Sequence, residues 1–302
     1  MKRGNGIITF EDLKNYKVVN RKVLDFDYKG NNIVSMPLPS SGGILLAQML
    51  KMSGFENLEQ YQQNSTKAVQ IMAEAERRAF ADRAEYMGDP DFIDDKTNYL
   101  ISEEYLKKRW KSFSFNKATP SSEVGKIINQ AKESTETTHI SVIDKEGNAA
   151  AVTTTLNGLY GSKVVVSGAG FFLNNEMDDF SVKPGVPNMF GAVGGEANSI
   201  QPNKRMLSSM TPTIVLKNGK PYIIVGTPGG TTIPTSVYQS IVNVIDFKLN
   251  ANIAVNSPKF HHQWLPETVA FEKNFPETTI KDLEKLGYKT ERWNQLGRTE
   301  MI

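Results

Sequence analysis

Apolar residues recur with a helical period through much of the first half of the chain. Residues 44–52 are almost uniformly apolar and follow the Pro- and Gly-rich loop at residues 37–43, so they predict a buried helix that begins after this loop. Residues 65–87 place apolar or small side chains at intervals of three and four, with Arg and Glu between them. This spacing predicts a second, longer helix, which Gly88-Asp-Pro90 ends.

Strand periodicity begins at residue 138. Ile140 and Val142 alternate with polar residues, which predicts a strand. Residues 144–148 predict a turn, and residues 149–155 predict the second strand, which runs back beside the first. We therefore expect an antiparallel hairpin whose first strand is buried.

A second hairpin is predicted over residues 213–226. Its strands flank Asn218-Gly219, a dipeptide that favours a tight turn, and Pro221 favours a strand-start or edge position. Residues 233–247 and 279–286 then have helical spacing. Because strands and helices are grouped more than alternated, the pattern favours an α+β fold with antiparallel sheet covered by helices.

Composition excludes several classes of protein. With 302 residues, 39% of them hydrophobic, the chain can bury a substantial core. The 35 basic and 33 acidic residues are interspersed and give a net charge of +2, so nucleic acid and anionic membranes are not expected partners. The absence of cysteine removes disulfides and thiolate chemistry. The sequence has no signal-peptide core and no apolar run long enough for a membrane segment.

Two adjacent threonines, Thr137 and Thr138, separate a polar segment at residues 114–136 from the first predicted hairpin. The polar segment predicts an exposed linker. Threonine is a weak nucleophile without a neighbouring base, but cleavage of the Glu136–Thr137 bond would free an α-amine that can act as that base. An ordinary strand start and a self-cleaving N-terminal nucleophile both fit this pattern.

A glycine-rich loop at residues 226–232 lies between a predicted strand and a predicted helix. Backbone N–H groups at such a position can converge on an anion. The loop lacks the Lys of a phosphate-binding loop, so Gly229 and Gly230 would serve better as an oxyanion hole. A plain glycine turn is the alternative.

Polar residues concentrate in two further segments. Residues 174–180 suit an acid/base pair, a metal site, a cradle for a substrate ammonium group or a solvated turn, although the metal interpretation lacks further ligands at suitable spacing. Hydroxyls in residues 207–213 suit a carboxylate. Adjacent His261 and His262 point in different directions and lack a third ligand, so we expect structural hydrogen bonds from them and no metal site.

Taken together and in this order, these segments resemble the γ-glutamyltranspeptidases, or glutathione hydrolases, of the N-terminal nucleophile hydrolase group. The resemblance covers nearly the whole chain. It rests on Pro39-Ser-Ser-Gly-Gly43, Gln70-Ile-Met-Ala-Glu-Ala75, Ala81-Asp-Arg83, Gly88-Asp-Pro-Asp-Phe92, Thr137-Thr-His139, Asn174-Asn-Glu-Met-Asp-Asp-Phe180, Pro202-Asn-Lys-Arg205, Leu207-Ser-Ser-Met210, Pro228-Gly-Gly230 and Phe260-His-His-Gln-Trp264.

The resemblance implies an αββα sandwich of the N-terminal nucleophile hydrolase type, cut autocatalytically between Glu136 and Thr137. Residues 1–136 would be the C-terminal part of a helical large subunit, with an exposed linker near residues 114–136. Residues 137–302 would be the strand-rich small subunit that carries the nucleophile. Both parts would belong to one domain.

The resemblance also assigns roles to individual residues. The Thr155 hydroxyl would bind the nucleophile Thr137, and Gly229 and Gly230 would form the oxyanion hole. The substrate's α-amino group would bind Asn157, Glu176 and Asp179, its α-carboxylate would bind Ser208 and Ser209, and Phe190 would lie in a lid loop.

The implied reaction is transfer or hydrolysis of the γ-glutamyl group of glutathione and similar compounds. Thr137 would attack the γ-glutamyl carbonyl, and its α-amine, with a reference pKa of about 7.7 to 8.0, would act as the base. Water would complete hydrolysis, and an amino acid or peptide amine would complete transpeptidation. No cofactor or metal is implied, and family members would be periplasmic or extracellular.

Family precursors carry a long helical region before the segment that begins here near Gly6, and a further segment after the position of Ile302. We therefore expect a chain truncated at both ends, with a sandwich incomplete on its helical side and impaired activity. A cephalosporin or glutaryl acylase-like amidohydrolase, a non-catalytic fragment and a periplasmic binding protein are the alternatives.

Overall fold

The computed structural model describes residue 1 and residues 4–125, 136–181 and 195–302. Its helices are α1 (Phe10–Asn15), α2 (Gly42–Gly54), α3 (Thr66–Tyr86), α4 (Thr97–Leu100), α5 (Glu103–Trp110), α6 (Ser121–Val124), α7 (Thr232–Ile245), α8 (Ala251–Asn256) and α9 (Glu277–Lys285). Its strands are β1 (Leu24–Tyr28), β2 (Asn31–Ser35), β3 (Thr138–Ile143), β4 (Ala149–Thr154), β5 (Thr213–Lys217), β6 (Lys220–Gly226), β7 (Phe260–His261), β8 (Thr268–Glu272), β9 (Lys289–Trp293) and β10 (Glu300–Met301). The structure therefore mixes helix and sheet, as the sequence predicts.

The main sheet contains strands from both sides of residue 137. Its order is β1-β2-β5-β6-β10, and the neighbouring strands are antiparallel. Asn218 and Gly219 connect β5 to β6 with φ of 52° and 73°, as a primed two-residue turn requires, which confirms the predicted hairpin. The pairing of β2 with β5 makes the segments before and after residue 137 parts of one sheet.

Helices α2, α3 and α7 pack together beside the main sheet. Helix α2 contacts α3, α7 and strands β1 and β2, so nearly all of its residues are buried. Both helices predicted from residues 44–52 and 65–87 are confirmed, and α3 is buried along most of its length. The buried apolar side chains along α2 lie at the centre of the hydrophobic core.

A buried charge network ties α3 to the surrounding elements. Glu74 forms ion pairs with Arg77, at 3.3 Å, and with Arg78. Its Oε1 also accepts hydrogen bonds from the backbone N–H of Thr119 at 3.2 Å and from the hydroxyl of Tyr288 at 2.9 Å. Although burial opposes ionisation, the two guanidinium groups hold the pKa of Glu74 below its ordinary value. Glu74 is therefore the counter-charge that both buried cations share, and Glu267, at 3.6 Å, also pairs with Arg77.

The β3–β4 hairpin packs its polar face against the main sheet. His139 is buried, and the Ser141 hydroxyl donates to the carbonyl of Ile224 on β6 at 3.3 Å. Ile140 and Val142 point the other way and are 52% and 50% exposed. The expectation of a buried first strand is therefore wrong. Apolar and polar side chains alternate along β3 as predicted, but its apolar face is the outer one.

The predicted exposed linker is also partly wrong. Thr119, Ser121 and Val124 are buried. The Ser121 hydroxyl donates to the carbonyl of Trp264 at 2.8 Å, and the Trp264 indole N–H donates back to the Ser121 carbonyl at 2.9 Å. These reciprocal bonds dock the segment against the C-terminal half, while residues 126–135 lie outside the described part.

A small third sheet has the order β7-β8-β9, with β7 antiparallel and β9 parallel to β8.

Among the described residues, no helix has the length and apolar character needed to cross a membrane.

We expect Glu74→Gln to lower the free energy of unfolding by about 3–5 kcal/mol, because it leaves two buried guanidinium groups without their shared counter-charge. Urea unfolding followed by circular dichroism measures this change. Glu103→Gln is the matched control, because Glu103 pairs with Lys107 on an exposed helix face and should change stability little. Equal effects of the two substitutions would contradict the role given to Glu74.

Candidate active site

Two threonine hydroxyls meet at the carbonyl group of Glu136. Thr137 Oγ1 lies 2.8 Å from the Glu136 carbonyl oxygen and 3.2 Å from Thr155 Oγ1. Thr155 Oγ1 donates to the same carbonyl oxygen at 3.0 Å. The sequence-predicted hydrogen bond between Thr137 and Thr155 is therefore present, and it lies at the peptide bond proposed for cleavage.

The hairpin places these two residues opposite each other. Thr138 pairs with Thr154 at the end of the β3–β4 ladder, so Thr137 and Thr155 are the next residues on the two strands. Beyond the ladder, the backbone N–H of Asn157 donates to Thr155 Oγ1 at 2.9 Å. This bond orients the Thr155 hydroxyl so that its proton can point to Glu136.

Asn157 is held by the segment that carries the acidic residues. It is buried, and its Nδ2 donates to the carbonyl of Asn175 at 3.2 Å. The side chain of Asn175 in turn accepts from the N–H of Gly158 at 2.8 Å. Both hydrogen bonds are donated by the end of the hairpin to Asn175, and they tie the hairpin to the acidic segment.

Glu176 and Asp179 lie at the two ends of a short 3₁₀ turn, Glu176–Asp179. Asn198 fixes this turn, because its Nδ2 donates to the Asp179 carbonyl at 2.7 Å while its Oδ1 accepts from the N–H of Leu207 at 3.0 Å. Sequence reasoning missed Asn198. Its bridge sets the distance between the acidic turn and the following serines.

Ser208 and Ser209 are positioned by the loop that precedes α2. Ser40 and Ser208 form a parallel bridge, in which Ser41 N–H donates to the Ser208 carbonyl at 2.8 Å and Ser208 N–H donates to the Pro39 carbonyl at 2.8 Å. The Pro39–Gly43 motif therefore provides the backbone partners for the serine segment.

Arg83 is a pocket residue to which sequence reasoning gave no role. It extends from buried α3, and its guanidinium donates from Nε to Ser41 Oγ at 3.1 Å and from a terminal nitrogen to Ser209 Oγ at 3.3 Å. The available signal was the Ala81-Asp-Arg83 motif near the end of the predicted long helix. Spacing alone could not show that this Arg meets a serine from the other half of the chain.

The pKa values of Glu176 and Asp179 are raised above their ordinary values. Burial raises the pKa of Asp179 to about 7, with Arg83 opposing and Glu176 and Asp178 reinforcing the shift. Burial also raises the pKa of Glu176. A cation bound between these two carboxyl groups would favour their ionised forms.

Gly229 and Gly230 form the turn into α7, with φ of 142° and 57°. A Cβ on Gly229 would lie 2.3 Å from Thr232 Oγ1, which leaves no space for a side chain. Thr232 in turn donates its hydroxyl to the Gly229 carbonyl at 2.8 Å. This side-chain contact fixes the turn, whose Gly230 lines the same pocket as Thr137.

A single pocket of about 390 Å³, partly open to solvent, collects most of the predicted site residues. It is lined by Arg83, Glu136, Thr137, Thr155, Asn157, Asp179, Ser208, Ser209, Met210, Gly230, Thr231 and Ile233. Gly229 precedes Gly230, and Glu176 lies in the same 3₁₀ turn as Asp179, but neither lines the pocket itself. Phe190 lies outside the described residues.

The two adjacent histidines differ in their surroundings. His261 meets the expectation of structural hydrogen bonds through Thr235 Oγ1 at 2.9 Å and Gln263 Oε1 at 2.8 Å. For His262 the expectation is wrong, because neither ring nitrogen has a partner among the described residues and only its backbone N–H is used, by Glu76. Within the described ranges, no group of three or more His, Cys, Asp or Glu side chains is arranged to hold a metal ion.

Comparison with known proteins identifies the family. The model of the family described as Gamma-glutamyltranspeptidase matches residues 1–302. The chain belongs to the γ-glutamyltranspeptidase family. The glutathione hydrolase proenzyme of Escherichia coli K12 is 49% identical over 304 residues, which is 100% of this chain and 52% of that protein. The chain thus spans about half the length of such relatives.

Solved structures agree with this assignment. A mutant of Helicobacter pylori γ-glutamyltranspeptidase is 53% identical, with a TM-score of 0.54 over 55% of this chain and 89% of that chain. A cephalosporin acylase from Bacillus halodurans has a TM-score of 0.81 over 100% of this chain and 52% of that chain, at 24% identity, so it supports the fold alone. The neighbours are of the N-terminal nucleophile hydrolase type.

We expect the stability advantage of Asp179→Asn over the parent chain to grow between about pH 4 and pH 7. Because the pKa of Asp179 is raised from 3.8 to about 7 on folding, the folded parent holds a proton that the unfolded chain has already lost, and its stability falls as pH rises through this window. The Asn side chain has no such proton.

Urea unfolding at about pH 5 and about pH 8 measures this difference. Asp25→Asn, on the exposed face of β1, controls for the loss of one negative charge. An Asp179→Asn advantage that is the same at both pH values would show that the carboxyl is not shifted.

Proposed function

We propose that this chain carries the catalytic machinery for hydrolysis and transfer of γ-glutamyl groups, after self-cleavage between Glu136 and Thr137. The observation that carries the proposal is the meeting of the Thr137 and Thr155 hydroxyls at the Glu136 carbonyl, inside a pocket that also contains Asp179. Membership of the family supports the same reaction. Glutathione and other γ-glutamyl compounds are the proposed donors.

Self-cleavage begins when Thr137 Oγ adds to the carbonyl carbon of Glu136. The C–N bond breaks, its nitrogen takes a proton and becomes the α-amine of Thr137, and an ester joins Glu136 to the Thr137 oxygen. Thr155, which donates to the Glu136 carbonyl oxygen at 3.0 Å, stabilises the negative charge that develops there. Water then opens the ester and restores the Thr137 hydroxyl.

The same oxygen then attacks the γ-carbonyl of the donor. The freed α-amine accepts the hydroxyl proton and returns it to the departing amine, so the donor's amide bond is replaced by an ester on Thr137. The N–H groups of Gly229 and Gly230, at the start of α7, are proposed to stabilise the oxyanion. Water or an acceptor amine releases the γ-glutamyl group, and these steps require no metal or cofactor.

Charge in the pocket suits the two α-substituents of a γ-glutamyl group. Asn157, Glu176 and Asp179 are proposed to hold the ammonium group. Ser208 and Ser209 are proposed to hold the carboxylate, and the guanidinium of Arg83, 3.3 Å from Ser209 Oγ, adds a positive charge on that side. An amino acid head group would therefore be oriented with its γ-carbonyl toward Thr137.

We further propose the αββα sandwich as the complete architecture, with residues 1–136 and 137–302 as parts of two subunits in one domain. The apolar outer face of the β3–β4 hairpin supports this, because Ile140, Val142 and Val152 are each about half exposed. A helical layer over this face would bury them. A periplasmic or extracellular location is proposed from the family.

A glutaryl or cephalosporin acylase is the second candidate, favoured by the 34% identity of this chain, over 97% of its length, to the Acylase ACY 1 proenzyme of Pseudomonas sp. SE83. The two activities differ in the α-ammonium group, which a glutaryl donor lacks. The two acidic side chains of the turn favour a donor that carries this cation, because a bound ammonium group would hold their half-buried carboxyl groups in the ionised form.

We expect the intact mass of the purified chain to resolve into two fragments that join at Glu136 and Thr137, and Thr137→Ala to remain a single chain because it lacks the attacking hydroxyl. Thr138→Ala is the matched control and should still be cleaved, since Thr138 occupies the ladder position opposite Thr154. A parent chain that stays whole after prolonged incubation would overturn self-cleavage.

We expect kcat/KM for γ-glutamyl-4-nitroanilide to exceed that for glutaryl-4-nitroanilide by about 10-fold or more, because a charge-assisted bond to the ammonium group contributes about 1.5–3 kcal/mol. Asp179→Asn should remove most of this preference by lowering kcat/KM for the γ-glutamyl donor while leaving kcat/KM for the glutaryl donor unchanged. Asp178→Asn, whose residue does not line the pocket, should retain the preference. A parent that prefers the glutaryl donor would favour the acylase.

A further inference from the structure

Thr137 borders a second pocket whose chemistry differs from the first. The two pockets share Glu136 and Thr137, but the second is otherwise lined by Pro228, Gln295, Gly297 and Arg298 and measures about 510 Å³. A ligand whose reacting atom lies at Thr137 can therefore extend into either recess.

The segment that forms the second pocket is fixed to the turn before α7. The N–H of Arg298 donates to Thr227 Oγ1 at 2.9 Å, and the Ser236 hydroxyl on α7 donates to the Leu296 carbonyl at 2.8 Å. Gly297 has φ of 87°, and a Cβ there would lie 2.8 Å from Thr227 Oγ1. These contacts give Arg298 a defined position beside the proposed oxyanion turn.

The guanidinium of Arg298 is available to an anion. Its side chain is exposed, and within the part of the chain that the structure describes, no hydrogen bond or ion pair engages the guanidinium. Arg77 and Arg78, by contrast, are buried against Glu74. Among the described residues, Glu136 is the only acidic one that lines the Arg298 pocket, and the proposed self-cleavage would separate it from the Thr137 backbone.

A third recess at Thr137 is a weaker candidate for an anionic ligand. It is lined by Glu136, Thr137, Thr138, Thr154, Thr155, Leu156, Gly158 and Leu159. None of these residues is cationic. A ligand with a carboxylate is therefore attracted to the Arg298 pocket and has no counter-charge in the third recess.

We propose that the Arg298 pocket is the subsite for the amine side of the reaction, where the guanidinium binds the carboxylate of the departing amino acid or peptide and of the acceptor that replaces it. This inference rests on the proposed function, because the amine side is defined by the ester on Thr137. In transfer, the acceptor nitrogen bonds to the ester carbonyl, the bond to Thr137 Oγ breaks, and the proton lost by the nitrogen passes through the α-amine to that oxygen. The acceptor's carboxylate stays beside Arg298.

Binding of glycylglycine tests the subsite without requiring chemistry. The protein is the full chain with Thr137→Ala, to keep the chain intact, and Glu136→Gln, to remove the carboxylate that shares the pocket. Calorimetric or NMR titration compares glycylglycine with glycylglycinamide, which lacks the carboxylate. We expect Arg298→Gln and loss of the ligand carboxylate each to weaken binding by about 10-fold, and their combination to weaken it little further, because both remove one charge-assisted contact.

Lys145→Gln, in the exposed turn between β3 and β4, removes the same charge at a distance from the pocket and should leave the affinity unchanged. Absence of glycylglycine binding, equal affinity of the dipeptide and its amide, or equal weakening by Arg298→Gln and Lys145→Gln would each overturn the subsite. Failure of the parent chain to cleave itself or to turn over donor would contradict the proposed function, and this titration is independent of that result.

Discussion

Backbone pairing between the two sides of residue 137 is the constraint on which the rest of the structure depends. Strand β2 pairs with β5, and Ser40 bridges Ser208 just beyond that ladder. These contacts bring the loop before α2 to the serines that line the pocket. The core around α2 and the side of the pocket lined by Ser208 and Ser209 both depend on these contacts, because each needs residues from both segments.

Burial of charge follows from this arrangement. Helix α3 lies deep in the core yet carries Glu74, Arg77 and Arg78, which compensate one another. Arg83 continues the same helix into the pocket, where it meets Ser209. The charged helix therefore contributes in two places. Its middle pairs buried cations with Glu74 in the core, and its C-terminal part adds positive potential beside Ser209.

Sequence patterns correctly predicted the helices and turns that are determined by residues close together in the chain. The Asn218-Gly219 turn and the helical spacing of α3 depend on residues within a few positions of one another, so both predictions are confirmed. The linker near residues 114–136 and the buried first strand were predicted less well. Composition suggested exposure for a segment that Trp264 buries through reciprocal hydrogen bonds, and alternation could not reveal which face of β3 meets the sheet.

The sequence by itself determined the family, through the order of many short motifs, and it identified Thr137, Thr155 and the residues of the acidic and serine segments as one candidate site. Only the tertiary structure showed that Arg83 reaches Ser209 across 126 positions of chain, that Asn198 joins the acidic turn to the serine segment, and that Arg298 lines a pocket with Thr137. It also decided the raised pKa of Asp179. The reason is physical: spacing along a chain reports local geometry, whereas burial, charge and contact depend on which distant segments the fold brings together.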